Sequence, residues 1–348
     1  MKIGLLITGK EARSGEGLAA KRAAEMAIAE ANANGGFEGR PFKLIVRSLD
    51  GPWASGSKEI VKLIFEDRVR ALMSSLDGRS AHLAEQIVTK ARVAMVASRA
   101  SDPSLTQINI PWIFRCVPDD RQQAEALIKE IYRERHLQEV AIITANTYDA
   151  KIAATTFSRV AVAAGHPRPR QFSFEKSDSN FQNLLAQIER AKIEAIVLFG
   201  QTSLVVKKLV QQMRSREIDP ALFGPLTLID EAFLILTETD LDGAVFIAPG
   251  HWRTPAGKRF GREFEEFHGS PPAAVAAYAY DGMGLIVEAI KRAGLDRQKI
   301  RDALASIEYQ QGMTGAIGFD ASGQRQGVVH LFEIVNGRPG FLHESLSR

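Results

Sequence analysis

The sequence predicts an α/β protein built from two doubly wound lobes with largely parallel sheets. Three observations lead to this prediction. The chain has 348 residues, enough for two domains with a core each. Short apolar strands alternate with helical segments along most of it, and the alternation starts again after Val117. The tail from Pro271 onward lacks this rhythm and cannot form a third domain alone, so we expect it to return to both lobes.

The first elements show why the strands are expected to be parallel. Strand Lys2–Thr8 leads into a helix from about Leu18 to Ala33 with an alanine-rich apolar face. Asn34-Gly35-Gly36 ends this helix because asparagine and glycine accept the left-handed conformation of a helix C-terminus. Strand Phe42–Arg47 follows directly. Two buried strands joined by a helix predict a parallel pair, since parallel strands need a crossover connection.

The other elements follow in the same order. The rest of the first series is helix Ser57–Asp67, strand Val69–Ser75, helix Ser80–Ala91, strand Val93–Ser98 and strand Trp112–Val117. The second is helix Arg121–Arg135, strand Glu139–Ala145, helix Ala150–Gly165, strand Arg170–Phe174, helix Phe181–Lys192, strand Ala195–Gly200, helix Thr202–Arg216, strand Leu222–Ile229 and strand Gly243–Pro249. The tail is expected to form helices Pro271–Gly294 and Arg297–Ile307, then a turn-rich β segment with a hairpin signal at Asn336-Gly337.

Composition and motifs exclude several classes of function. The 44 Lys and Arg against 41 Asp and Glu leave too small an excess to indicate nucleic-acid binding, and no apolar run reaches the ~20 residues of a membrane helix. Cys116, the only cysteine, lies in an apolar run and is expected to be a buried hydrophobe. The sequence has no nucleophile elbow, phosphate-binding loop or zinc motif. We therefore expect no enzyme activity, catalytic residue, cofactor or metal ion.

One glycine pattern supports an alternative, an NAD-dependent oxidoreductase. Gly15-Glu16-Gly17-Leu18-Ala19-Ala20 fits the dinucleotide fingerprint between a strand and a helix, and Asp50 ends the next strand. The first glycine, however, should directly follow the strand, whereas residues 9–14 intervene. Glu16 would also place a negative charge beside the pyrophosphate. A loop whose Gly17 begins a helix is the favoured interpretation.

Several segments resemble, in order and approximate spacing, the type I periplasmic binding proteins. The resemblance is closest to the leucine/isoleucine/valine-binding branch, the substrate-binding subunits of ABC importers. The segments are "AIAEANANGGFEGRPFKLIVRSLD", "KLIFEDRVRALMSS", "SDPSLT" with "PWIFRCVPDD", "AYAYDGMGLIVEAIKRAG" and "MTGAIGFDASGQRQGVVHLFEIVNGRP". Together they span nearly the whole chain.

The resemblance implies a fold, a location and partners. Two Rossmann-like lobes, 1–118 plus 251–327 and 119–250 plus 328–348, would be joined by a three-stranded hinge with a ligand cleft between them. The protein would be a periplasmic or extracytoplasmic monomer that binds a small molecule and docks on a membrane permease. The first residues predict a buried strand rather than a signal peptide, so an export signal would already have been removed. A cytoplasmic ligand sensor of the same fold is the alternative.

Candidate ligand contacts in the first lobe follow two strands, because ligands of open α/β sheets lie beyond the carboxyl ends of the strands. Ser74, Ser75 and Leu76 end one strand, where hydroxyls and free amides can hold a carboxylate, although the serines could instead cap the next helix. Ser98-Arg99-Ala100-Ser101 follows the next strand and matches a family binding loop. Arg99 departs from the family pattern; it either clamps a carboxylate or points to solvent.

In the second lobe, Tyr148 and Gln201-Thr202 match family binding positions, although Thr202 could simply cap a helix. Amino-acid-binding relatives place an acidic residue near position 226 to pair with the ligand ammonium, and this chain has Leu226. A buried ammonium without an anion costs several kcal/mol, so a carboxylic acid without an amine, aromatic or branched, fits at least as well as an amino acid. Trp53 and His251 are further candidates near the lobe boundary.

Overall fold

The structure is a computed structural model. It describes residues 1–8, 15–49, 53–107, 110–175, 180–200, 203–230, 233 and 241–342, with the backbone only for 53–55 and 203–204. The chain divides into two compact units, one of Met1–Asp119 with Gly250–Val328 and one of Asp120–Pro249 with Val329–Arg348. The chain therefore passes from one unit to the other three times. For Trp53 the structure describes only the backbone, which is helical. Gln201 and Thr202 lie outside the described residues.

Unit 1 contains a five-stranded parallel sheet of order β2-β1-β3-β4-β5. The strands are β1 Lys2–Thr8, β2 Lys43–Leu49, β3 Leu72–Ser75, β4 Met95–Ala97 and β5 Ile113–Arg115. The strands are buried and apolar along most of their length, except the edge strand β2, as expected for a parallel sheet covered on both faces. The first helix ends at Ala33 as predicted, with Gly35 and Gly36 at positive φ.

Helices α1 Gly15–Ala33, α2 Trp53–Val61, α3 Gly78–Ala91 and α4 Ser104–Gln107 belong to the first pass of the chain through unit 1. A π-helical turn, Lys62–Glu66, extends α2. The return of the chain adds α9 Pro255–His268, α10 Ala274–Ala293 and α11 Arg297–Ala305. Helix α10 is buried on most of its faces because it packs against α1 and against β3 and β4 of the sheet. This placement explains its apolar sequence.

Unit 2 contains a seven-stranded sheet of order β12-β11-β10-β9-β8-β6-β7 among the described residues. The strands are β6 Val140–Ala145, β7 Arg170–Phe174, β8 Ala195–Phe199, β9 Ala221–Gly224, β10 Val245–Ile247, β11 Leu331–Val335 and β12 Arg338–Phe341. Strands β6 to β10 pair in parallel, and β11 and β12 add an antiparallel hairpin at the edge. The hairpin predicted at Asn336-Gly337 is confirmed, with positive φ at both residues.

The helices of unit 2 are α5 Asp120–Ile128, α6 Tyr148–Ala163, α7 Gln182–Arg190 and α8 Ser203–Arg214. A π-helical segment, Lys129–Glu134, continues α5. The strand predicted over Leu222–Ile229 is wrong in its second half, because β9 ends at Gly224 and a 3-10 turn, Leu226–Leu228, follows. Pro225 explains the break, since proline has no N–H to donate to the sheet. The predicted α/β class with two doubly wound units is confirmed.

A buried polar network joins α10 to the tail of unit 1. Asp281 accepts hydrogen bonds from the amides of Met313 (2.7 Å) and Thr314 (2.8 Å) and from the Thr314 hydroxyl (2.5 Å). Arg325 donates to the Thr314 hydroxyl and to the carbonyl of Cys116, at 2.7 and 2.9 Å. Cys116 is fully buried, and burial raises the pKa of its thiol to about 12. It packs as the expected small hydrophobe.

Candidate functional site

Two adjacent serines at the carboxyl end of β3 have unsatisfied hydroxyl groups. Ser74 and Ser75 are fully buried, and neither Oγ has a hydrogen-bond partner within the described part of the chain. A buried polar group without a partner costs about 1–3 kcal/mol. Such groups are rare in native proteins and need a physical reason. A ligand that accepts hydrogen bonds is one such reason.

The cap of α3 separates the two interpretations of these serines. Asp77 is the N-cap residue, and its Oδ1 accepts from the Ser80 amide at 2.7 Å. The interpretation in which Ser74 and Ser75 cap this helix is therefore wrong. Their hydroxyls remain available at the end of the strand.

Thr8, the last residue of β1, adds a third hydroxyl that the sequence analysis missed. Its Oγ1 is buried and has no partner among the described residues. In the parallel register Leu6 lies beside Ser74, and Thr8 points to the same face as Leu6 because side chains alternate along a strand. Thr8 and Ser74 thus share one face of the sheet and Ser75 lies on the other. The rule that ligands bind at strand carboxyl ends would have selected Thr8.

The loop after β4 lies against the end of β3. The Ser98 amide donates to the Ser74 carbonyl at 3.0 Å, so this loop is fixed beside the serines. Arg99 forms an ion pair with Glu16 in the first turn of α1. Ala100 and Leu76 pack in the apolar core, which leaves only their backbones for ligand contact. Ser101 is also buried.

Arg115 at the end of β5 is hydrogen-bonded to this loop. Its side chain is fully buried; Nε donates to Gln324 Oε1 at 2.6 Å and Nη2 to Thr106 Oγ1 at 2.7 Å. Nη1 donates to the Asp102 carbonyl. The Asp119 carboxylate lies 3.6 Å from Nη2. One guanidinium therefore fixes the loop, α4 and the returning tail to the sheet.

His82 of α3 is a second anchor for the same loop. Its Nδ1 lies 2.7 Å from Glu85 Oε2 and its Nε2 lies 3.1 Å from Asp102 Oδ2. Hydrogen bonds to Asp102 and to Glu85 raise the pKa of His82 to about 9. Burial alone would raise the pKa of Asp102, but hydrogen bonds from His82 and Ser104 outweigh it and hold that pKa well below its usual range. At neutral pH an imidazolium bridges two carboxylates.

We expect this bridge to make stability depend on pH on the alkaline side. The folded-state pKa of His82 is raised above its unfolded value of 6.5, so its contribution is complete below pH 6.5 and is lost as the pH rises through about 9. The loss should be roughly 1–3 kcal/mol, since His82 is partly exposed. Urea unfolding at pH 6 and pH 9.5 measures it. His82→Gln should remove most of this difference, and an equal difference in both proteins would contradict the assignment.

The candidate residues of unit 2 lie at the ends of β6 and β9. Tyr148 begins α6 and is half-buried. The preceding Thr147 is the N-cap residue but makes no side-chain cap, and its buried Oγ1 has no partner among the described residues. Thr147 is a further hydroxyl that the sequence analysis did not select. Gln201 and Thr202 lie outside the described residues, so their roles stay predictions.

Leu226 presents no charge at the position after β9. Its side chain is buried, and its amide donates to Oε1 of the buried Gln123 at 2.9 Å. The nearest following acid, Asp230, accepts a hydrogen bond from the Phe233 amide at 2.8 Å. Asp230 is thus the one carboxylate in the described segment 221–230, and it lies four residues beyond Leu226.

His251 lies in a 3-10 turn, Gly250–Trp252, at the start of the second part of unit 1. Its ring packs beside Trp252 and Phe260, with centroid distances of 6.1 and 6.3 Å. Burial lowers the pKa of His251 to about 3, so the imidazole is neutral. The His251 ring thus packs against aromatic side chains, and its buried Nδ1 has no partner among the described residues.

Two doubly wound units, with buried hydroxyls at strand carboxyl ends that have no partner among the described residues, are typical of a ligand-binding α/β protein. The chain belongs to the periplasmic binding protein family, whose model matches residues 1–338. The resemblance found in the sequence is thereby confirmed. No helix in the described residues is both long and apolar enough to span a bilayer, and no three His, Cys, Asp or Glu side chains among them form a metal-binding group.

Sequence relatives and solved structures match almost the whole chain. A Leu/Ile/Val-binding protein homolog 2 from Brucella abortus (strain 2308) is 22% identical over 329 residues, which is 92% of this chain and 86% of the relative. The fold is similar to that of the branched-chain amino acid transporter substrate-binding protein LivJ from Streptococcus pneumoniae, solved with isoleucine (TM-score 0.84, 23% identity, 97% of both chains).

It is equally similar to an ABC transporter solute-binding protein from Rhodopseudomonas palustris BisB5, solved with 3,4-dihydroxybenzoic acid. That structure has a TM-score of 0.84 and 19% identity, and the match covers 97% of this chain and 94% of the other. Similarity at these identities establishes the fold that the chain shares with both structures.

Proposed function

We propose that this protein is the extracytoplasmic substrate-binding component of an ABC importer and that it binds a small carboxylate-bearing solute. The observation that supports this most directly is the pair of buried, unsatisfied hydroxyls of Ser74 and Ser75 at the carboxyl end of β3. Hydroxyl donors that are exposed to no water gain most from an anionic acceptor, because charge-assisted hydrogen bonds are about twice as strong as neutral ones. A carboxylate meets this need.

The preferred ligand is an organic acid without an α-amine, aromatic or branched. Leu226 stands where amino-acid-binding relatives are expected to place an acid, and the one carboxylate in the described segment 221–230, that of Asp230, lies four residues further on. The structure from R. palustris holds a hydroxylated benzoic acid in the same fold. A branched-chain amino acid is the second candidate, supported by the name of the Brucella relative and by the isoleucine complex of the S. pneumoniae protein.

Binding involves no covalent step and no cofactor. The ligand carboxylate would first be held by Thr8 and Ser74, which share one face of the sheet, and by the loop Ser98–Ser101 of unit 1. Ser75 lies on the other face and would contact the ligand only beyond the end of the strand. Closure of unit 2 would then add Tyr148 and the segments after β8 and β9. The closed form is favoured only by the additional contacts that unit 2 makes with the ligand. Periplasmic binding proteins in general close around their ligands by such a hinge motion. The closed form would then dock on the membrane permease.

Two observations favour a solute-binding protein over the oxidoreductase alternative. Gly15 begins α1 and Glu16, which would lie beside a pyrophosphate, is engaged with Arg99. The family and the similar structures are solute-binding proteins. An export signal in the precursor would distinguish the importer subunit from a cytoplasmic sensor of the same fold.

The serine pair gives the direct test. We expect Ser74→Ala/Ser75→Ala to weaken binding of 3,4-dihydroxybenzoate or 4-methylpentanoate by roughly 10–100-fold, the effect of losing hydrogen bonds to a charged group. The ligand-free double variant should be as stable as the wild type or more stable, because the unsatisfied hydroxyls are removed. Calorimetric titration and thermal unfolding measure the two effects.

Ser158→Ala is the matched control, since Ser158 of α6 is also a buried serine whose Oγ has no partner among the described residues. It should leave the dissociation constant unchanged. Equal affinities of the double variant and the wild type would exclude the serines from the site.

A further inference from the structure

The ion pair between Glu16 and Arg99 joins two segments on either side of the candidate serines. Glu16 lies in the first turn of α1, which follows β1, and Arg99 lies just after β4. Strands β1 and β4 flank β3 in the sheet. The pair therefore spans the carboxyl end of β3, where Ser74 and Ser75 are located. The Ser98 amide bonded to the Ser74 carbonyl fixes the Arg99 end of this bridge.

The pair is partly shielded from solvent. The side chain of Arg99 is 20% exposed and that of Glu16 is 24% exposed. The Glu16 carboxylate thus binds at least one nitrogen of the Arg99 guanidinium, which lies beside the expected carboxylate site. A ligand carboxylate offers the same bidentate geometry that Arg side chains favour. Two carboxylates close to one guanidinium repel each other.

We propose that Glu16 is an internal competitor for Arg99 and sets how tightly the protein holds an anionic ligand. This inference rests on the proposed function. An acid must displace Glu16 from Arg99 or share the guanidinium with it, so the wild type binds the acid less tightly than the same site would without the Glu16 carboxylate. The same competition disfavours ligands that carry a weak or distributed negative charge.

A different role for Glu16 predicts the opposite result. If Glu16 only orients Arg99 toward the ligand, then its removal disorders the guanidinium and weakens binding. The sign of the effect on affinity therefore separates competition from positioning.

The test is a titration of 3,4-dihydroxybenzoate and 4-methylpentanoate against wild type, Glu16→Gln, Arg99→Ala and the double variant. We expect Glu16→Gln to raise the affinity for either acid by roughly 5–20-fold, because removing a like charge strengthens a charge-assisted contact. Arg99→Ala should lower it by roughly 10-fold or more. In the Arg99→Ala background, Glu16→Gln should have no more than a small effect.

Two controls isolate the local charge. Glu25→Gln makes the same change of charge on the same helix, at a residue that is 51% exposed and paired with Lys21, and it should leave affinity within about twofold. The neutral amide 3,4-dihydroxybenzamide should gain nothing from Glu16→Gln. Thermal unfolding of each variant establishes that it is folded.

The outcomes separate this inference from the proposed function. Binding by the wild type with unchanged or weaker binding by Glu16→Gln would overturn the competitor role alone. An equal gain in the Arg99→Ala background would also overturn it, because the effect would not pass through Arg99. Absence of binding of either acid to wild type and to all variants would refute the proposed function and, with it, this inference.

Discussion

Arg115→Met is expected to lower the free energy of unfolding by about 3–5 kcal/mol, the range for removing one partner from a buried charged network. The guanidinium is fully buried and donates hydrogen bonds to Gln324, to Thr106 and to the Asp102 carbonyl. Methionine fills most of the volume but donates no hydrogen bond. The buried acceptors then lose the hydrogen bonds that the guanidinium donated, and the Asp119 carboxylate loses a nearby positive charge.

Urea unfolding followed by circular dichroism measures this change. Arg292→Met is the control in the same unit, because Arg292 is 47% exposed and pairs with Glu288 one helical turn away. Its change should stay within about 0.5 kcal/mol. Arg115→Lys, which keeps the charge and loses the planar fork, should fall between the two. A loss below about 1 kcal/mol in Arg115→Met would show that the network does not hold the loop.

Much of the fold follows from local patterns. The alternation of apolar strands with helices predicted both doubly wound units, because parallel strands need covering helices. Asn34-Gly35-Gly36 and Asn336-Gly337 predicted a helix end and a hairpin turn, since these residues accept positive φ. The buried environment of α10 agrees with its largely apolar sequence.

Side-chain pairing over long separations could not be predicted from local patterns. Arg99 pairs with Glu16, and Arg115 with Gln324, only because the folded sheet brings these segments together. The sequence analysis left Arg99 either at a ligand or in solvent, and the ion pair with Glu16 was not among its alternatives. The cap of α3 was also ambiguous, because Asp77, Ser74 and Ser75 all precede the helix and only the hydrogen bond to the Ser80 amide distinguishes them.

The same limit applies to the candidate site. The position of residues after strands was enough to select Ser74, Ser75 and Ser98, whereas only the structure shows that the Ser74 and Ser75 hydroxyls have no partner among the described residues. Thr8 and Thr147 were missed because each follows the same rule without a family motif to mark it. The contacts of Gln201 and Thr202, and the ligand cleft between the lobes, stay predictions.

The second large effect is expected in ligand discrimination. Leucine and 4-methylpentanoate share the carboxylate and the branched chain and differ in the α-ammonium group. At the position after β9 the ammonium would meet the apolar side chain of Leu226 instead of an acid. An unpaired buried ammonium costs several kcal/mol. We therefore expect the acid to bind at least about 10-fold more tightly than the amino acid, a difference of about 1.4 kcal/mol.

Phenylalanine and 3-phenylpropanoate provide the aromatic version of this comparison. The acid should again be favoured, because the difference depends on the ammonium group and not on the side chain. Opposite preferences in the two pairs would show that side-chain fit, rather than the missing anion, controls the selection.

The most direct measurement is a calorimetric titration of one protein preparation with leucine and with 4-methylpentanoate. The central claim is that the site holds a carboxylate with hydroxyl donors and Arg99, and that Leu226 stands where an acid would pair with an amine. It predicts a dissociation constant for the acid that is at least about 10-fold lower than that for leucine. Leucine binding as tightly as the acid, or more tightly, would contradict it.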